Sequence, residues 1–193
     1  MRITGRLSLL TVLTLAEIVE KIGSSAAESF AEFYEQYLPK VYRYISYRIS
    51  DIQTAEDLTS VVFEKALSKF KGYDSSKAGF STWLFTIARN TLTDHYRSSH
   101  QSQTVDLEAA AEKPSPLKSP EEEAESAEDV RLLNACLARL SAPEKEIISL
   151  KFGAEMTNRQ IAGVLALTES NVGVILYRAV RKLRDDFKGR QHG

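Results

Sequence analysis

The sequence predicts an all-α protein of two small helical domains joined by a flexible linker. Three observations carry this. Apolar residues recur at spacings of three and four from Phe30 to Arg97, and again after Asp129, without strand-like alternation. Between these stretches, from Ser98 to about Glu128, Ser, Gln, Ala, Pro and Glu displace apolar residues. Finally, Thr157 to Arg184 reads as two capped helices around a tight turn, a helix-turn-helix pattern.

The elements follow in order. Arg2 and Arg6, the apolar run Leu7 to Leu15 and the small residues Gly23 to Ala27 imitate a signal peptide. The run is too short to span a bilayer, contains Thr11 and Thr14, and is soon followed by Glu17 and Glu20. Residues 1–24 are therefore expected to be an extension, from a mis-assigned start or as an accessory helix. The first domain is expected over 25–98. One helix runs from about Ser29 to Ile49. A second starts at Thr54, with Asp57 completing an approximate capping box. It presents Leu58, Val61, Val62, Ala66, Leu67 and Phe70. Gly72 to Gly79 breaks the pattern, and Ser81 caps a third helix through Trp83, Leu84, Ile87, Ala88 and Leu92.

Residues 99–127 form the linker. Pro114, Pro116 and Pro120 oppose regular structure, and Glu121, Glu122, Glu123 and Glu125 form an acidic block. The second domain spans 128–189. Ser141-Ala142-Pro143-Glu144 is a capping box, Thr157 with Gln160 is another, and Thr168 caps the last helix.

The totals set limits. The 193 residues accommodate one or two small cores. A net charge of −1 argues against indiscriminate coating of DNA but allows local basic patches. Cys136, the single cysteine, lies among leucines at helical spacing and reads as core filler in a reducing cytosol. His95, His100 and His192 have no metal-ligand spacing, so no metal or other cofactor is expected. Asp94 beside His95 has no nucleophile to serve and reads as a surface pair. No enzyme is expected.

On a wheel of about 100° per residue, Val172, Leu176, Ala179 and Leu183 of the last helix face inward, toward Ile161 and Leu165. Val174, Tyr177, Arg178 and Arg181 face outward. Glu169, Ser170 and Asn171 form the first turn, which in such units reaches base edges. Asn171 suits adenine, Glu169 suits cytosine N4, and Val174 suits a thymine methyl. Arg178, Arg181 and Lys182 suit phosphates, and Arg159 on the preceding helix suits a backbone clamp.

Ala55-Glu56-Asp57-Leu58-Thr59-Ser60-Val61-Val62-Phe63, followed by Phe80-Ser81-Thr82-Trp83-Leu84-Phe85-Thr86-Ile87-Ala88-Arg89-Asn90, resembles the core-binding domain of bacterial sigma factors. With the helix-turn-helix after a linker, Ser25 to Phe187 resembles an extracytoplasmic-function (group IV) sigma factor of RNA polymerase. The resemblance implies sigma region 2 over 25–98 and region 4 over 128–189. It implies a cytoplasmic protein that binds core RNA polymerase and promoter DNA and directs initiation for a specific regulon. Region 2 would recognise and melt the minus-ten element, and region 4 would read the minus-thirty-five element. An anti-sigma factor is the further partner implied, with no membrane insertion.

By this resemblance Asp57, Leu58, Ser60, Val61 and Phe63 lie on or under the helix that docks the polymerase clamp. Gly72 to Phe80 matches the loop that captures an unstacked base, and Trp83, Arg89, Asn90 and Arg97 fall in the melting helix. Strand binding needs stacking faces, for which Tyr73, Phe80, Phe85 and Tyr96 are candidates, and cations, for which Lys71, Lys77, Arg89 and Arg97 are candidates. Trp83, spaced with Ile87, reads as core before wedge; Phe85 stays open between the two.

Three departures from the family pattern stand out: Ser60-Val61 at clamp-facing positions, Ala166 where the turn commonly has glycine, and Gly173-Val174-Ile175 in place of a basic or hydroxylated stretch. The alternatives are a helix-turn-helix regulator acting without polymerase, and a secreted or membrane-tethered interaction protein. In the sigma reading, the acidic linker block is expected to shield Arg178 and Arg181 from nonspecific DNA.

Overall fold

The computed structural model describes the backbone of residues 24–102, 135–137 and 139–190, and side chains over 29–99, 135–137 and 139–186. The expected extension and most of the linker lie outside the described residues. No strand occurs among the described residues.

Helix α1 spans Ser24–Ser46, α2 Ile52–Lys69 and α3 Phe80–Ser102. The N-cap of α2 is Asp51, one turn before the expected start at Thr54. Its carboxylate accepts from the Thr54 amide at 2.7 Å and from the Thr54 hydroxyl at 2.6 Å, which holds its pKa below the ordinary aspartate range. Asp57 instead accepts from the Gln53 side chain at 3.1 Å. Ala55, Leu58, Val62, Phe63 and Ala66 form the buried face of α2. Ser81 does not cap α3: the Gly79 carbonyl already accepts from the Trp83 amide, and Ser81 lies buried inside the first turn. Residues 99–102, expected in the linker, continue α3, because serine and glutamine do not end a helix without a breaking residue.

In the second domain, α4 spans Ala142–Ile148, α5 Asn158–Leu165 and α6 Glu169–Arg190. All three expected caps are present. The Glu144 carboxylate accepts from the Ser141 amide at 2.9 Å, Gln160 accepts from the Thr157 amide at 2.8 Å, and Thr168 accepts from the Asn171 amide at 3.2 Å. A π turn, Ser149–Gly153, follows α4. Ala166, where the turn commonly has glycine, ends α5 in the left-handed region, φ 53° and ψ 42°. Ala166→Gly is therefore expected to stabilise the domain by about 1 kcal/mol, as a rise in the urea midpoint at unchanged m-value.

α5 and α6 cross at 105°, within the range of helix-turn-helix units. Val172 and Leu176 pack toward Ile161 and Leu165, as the wheel requires. Ala179 and Leu183 join a separate cluster with Leu137, Leu140 and Ile148. Cys136 is buried, as a core filler would be.

The two domains share one core. Val41, Tyr44, Phe85 and Leu84 belong to the same buried cluster as Ile147, Leu150, Met156 and Ile161. Gly153 permits the approach: a Cβ there would lie 3.0 Å from the Tyr44 Cα and amide nitrogen. Gln160 Nε2 donates to Ser81 Oγ at 2.9 Å across the boundary. This union of the two bodies is not visible in either half of the sequence.

Candidate nucleic-acid interface

The outward face of α6 is open to a ligand. Glu169, Ser170, Asn171, Arg178 and Arg181 are exposed, as is Arg159 on α5. Val174 and Tyr177 are unusually exposed for apolar side chains, at 45% and 69%. They stand beside the basic residues, so the face combines apolar contact with cations. Arg181 shares its charge with Asp185 at 3.8 Å, one turn on.

Lys182 departs from the expected phosphate contact. Its ammonium lies 2.7 Å from the Glu144 carboxylate, whose side chain is only 10% exposed, and ties α6 to the cap of α4. The Lys182 hydrogen bond, then the Ser141 amide and hydroxyl, outweigh burial and bring the Glu144 pKa to about 2. A depressed folded-state pKa adds stability above the ordinary value and loses it as pH falls toward the folded value. Acidification from pH 4.5 to 2 is therefore expected to remove about 2 kcal/mol through this group. Urea titrations of wild type and Glu144→Gln over that range should converge at the acid end; parallel curves would refute the assignment.

In the first domain, Gly72 to Gly79 is an ordered loop. Tyr73 Oη donates to the Ala78 carbonyl at 3.1 Å, and Asp74 accepts from the Ser76 amide at 3.0 Å and its hydroxyl at 2.6 Å. Lys71 and Lys77 are exposed, the latter 3.6 Å from Asp74. The expected ring faces divide. Tyr73 and Trp83 remain half-buried, 5.0 Å apart between centroids. Phe80 is buried and stacks on Phe33 at 3.9 Å, so it is a floor of the loop rather than a face for a base. Phe85 is fully buried against Tyr44, edge to face at 5.5 Å. In this closed arrangement it is core. Asn90 and Arg97 are exposed on α3, and Arg89 is half-buried. Asp94 faces Lys65 at 3.6 Å, not His95 in a catalytic pair.

On α2, Asp57 is exposed and Ser60 and Val61 are half-buried, forming an outward ridge. Leu58 and Phe63 lie beneath it, Phe63 against the Tyr34 ring. They support that ridge from below.

Residues 33–102 match the family described as Sigma-70 region 2, and residues 131–183 match Sigma-70, region 4. The ECF RNA polymerase sigma factor BldN of Streptomyces coelicolor is 35% identical over 170 residues. The chain belongs to the extracytoplasmic-function sigma factors. The BldN alignment covers 88% of this chain and 64% of BldN. SigM of Bacillus subtilis is 28% identical over 155 residues, 79% of this chain and 91% of SigM. Two solved structures share the fold. CnrH in complex with the cytosolic domain of CnrY gives a TM-score of 0.64 at 21% identity, covering 91% of this chain and 95% of that one. The sigma factor RpoE in complex with the anti-sigma factor NepR from Bartonella quintana gives 0.67 at 23% identity, covering 83% and 98%.

Sequence reasoning missed the residues that join the domains. Tyr44, which is buried, meets Arg48 and Glu146, which are half-buried. Tyr44 Oη donates to Glu146 Oε1 at 2.6 Å, and the Arg48 guanidinium pairs with the other carboxylate oxygen. Burial, then the Glu146 charge, raises the Tyr44 pKa well above its ordinary value. Burial works against the Arg48 charge, but Glu146 outweighs it and the pKa rises. Nothing in a single sequence couples residues 98 positions apart.

No single helix among the described residues is long and apolar enough to cross a membrane.

Proposed function

We propose that this sigma factor is the promoter-specificity subunit of a bacterial RNA polymerase. It binds core polymerase through the ridge Asp57, Ser60 and Val61 on α2. The loop from Lys71 to Gly79, with Tyr73, Trp83, Asn90 and Arg97, engages and melts the minus-ten element. Helix α6 reads the minus-thirty-five element through Glu169, Ser170, Asn171 and Val174, with Arg159, Arg178 and Arg181 on phosphates. It acts in the cytoplasm, has no catalytic centre of its own, and is restrained by an anti-sigma partner, the class of protein with which RpoE of Bartonella quintana is solved in complex.

The observation that carries this reading is a helix-turn-helix with an exposed apolar-basic face in one chain with a Sigma-70 region 2 domain. That pairing does not favour a regulator acting without polymerase. The test is run-off transcription with core polymerase on a promoter library, with and without the protein. Failure to initiate from any template by the folded, inhibitor-free protein would refute it.

The two kinds of contact separate by mutation. Arg178→Ala is expected to weaken promoter binding evenly across sequences and to reduce the salt slope by about one unit. Val174→Ala is expected to change preference at a single base pair, with about 1 kcal/mol at stake. Competition binding on a randomised minus-thirty-five element reads both, and unchanged selectivity for Val174→Ala would remove it from the reading set.

A further inference from the structure

The surface between the domains has an unusual charge arrangement. Lys40 and Arg43 lie in the last two turns of α1, and Arg48 lies in the turn that follows it. Every one of them meets a carboxylate from the second domain. Glu155 pairs with Lys40 at 3.0 Å and with Arg43; Glu146 pairs with Arg48. Glu155 does so from a left-handed backbone conformation, φ 57°, which is costly for a residue with a Cβ. Both cations hold the Glu155 pKa below the ordinary glutamate range.

The fit is incomplete. The Nε atoms of Arg43 and Arg48 are buried with no hydrogen-bond partner, so each guanidinium spends only part of its donor fork. A bidentate anion would use more of it. The strip also flanks the helix assigned to promoter melting. Tyr96 of α3 donates to the Arg48 carbonyl at 2.8 Å, and the Arg48 guanidinium lies 5.8 Å from the Tyr96 ring centroid. The charge of Arg89, a strand-binding candidate, is felt at Tyr44.

The closed body is also too small for the proposed task. A folded chain of this length has a radius of gyration of about 16 Å, hence a breadth of roughly 40 Å. Elements centred about 25 base pairs apart are separated by roughly 85 Å. Gripping both requires the domains to part, which uncovers the strip.

We propose that Lys40, Arg43 and Arg48 form a binding strip for nucleic-acid backbone phosphates, and that Glu155 and Glu146 occupy it as internal phosphate mimics while the domains are closed. The inference rests on the promoter-binding reading above. Closure and strand binding then compete for the same cations. An isolated chain binds strands weakly, and whatever separates the domains exposes the strip.

The experiment uses the full chain and a fluorescent single-stranded oligonucleotide, with affinity measured over a range of salt. Glu155 is half-exposed, so Glu155→Gln removes the charge without opening a cavity. It is expected to tighten binding about five-fold and steepen the salt slope toward the value for two added phosphate contacts, about 1.4 units. Adding Lys40→Gln and Arg43→Gln to that variant is expected to abolish both gains. Thermal melts of each variant verify folding. Unchanged affinity in Glu155→Gln, or gains that survive loss of Lys40 and Arg43, would overturn the proposal. Run-off transcription by the wild-type protein is a separate arm: success there with unchanged oligonucleotide binding refutes the strip alone, and failure there refutes the promoter reading.

Discussion

Replacing Glu146 with alanine is expected to destabilise the closed chain by up to about 3–5 kcal/mol, the cost of leaving one partner of a fully buried ion pair uncompensated. The pair is well shielded, with Arg48 and Glu146 side chains 11% and 13% exposed. The loss is compounded because Tyr44, fully buried, loses its acceptor at the same time. Urea unfolding of the full chain would show the midpoint fall, with the transition broadening or splitting as the domains uncouple. Glu146→Gln, which keeps an oxygen for Tyr44 and one for Arg48, should lose less than half as much. A loss under 1 kcal/mol in the alanine variant would show that the union of the domains contributes little in solution.

Phe85→Ala has a comparable expected effect for a different reason. The ring is fully buried between Tyr44 and the shared core, so truncation leaves a cavity and costs about 3–5 kcal/mol. Phe85→Leu, which keeps most of the volume, should cost about 1 kcal/mol. A ring that stacked on a melted base would behave otherwise: alanine would spare stability and reduce strand binding, as stacking is worth about 1–3 kcal/mol per base. Thermal melts beside oligonucleotide binding separate the two. Loss of binding at unchanged stability would return Phe85 to the strand-binding set.

These residues mark the limit of reading by pattern. Ser141, Thr157 and Thr168 were legible as caps because a cap acts within three residues of its own position. The turn at Ala166 and the inward face of α6 were legible for the same reason: turn geometry and helical period are local. Asp51 escaped because Thr54, three residues on, is an equally plausible cap, and only the bond between them decides which one starts the helix. Lys182 looked free to meet phosphate on the wheel, yet its partner Glu144 lies 38 residues away on another helix. Phe80 and Phe85 carry rings suited to stacking, and side-chain type alone does not distinguish a stacking face from a core.

The helices, their caps, the helix-turn-helix and the order of two family domains follow from neighbours within a few residues, where backbone sterics and periodicity act. The shared core, the Tyr44–Arg48–Glu146 triad and the covered basic strip depend on which surfaces meet after the chain has folded. Desolvation and long-range charge pairing choose among those meetings, and both act through space on groups about a hundred residues apart, so no local pattern encodes them.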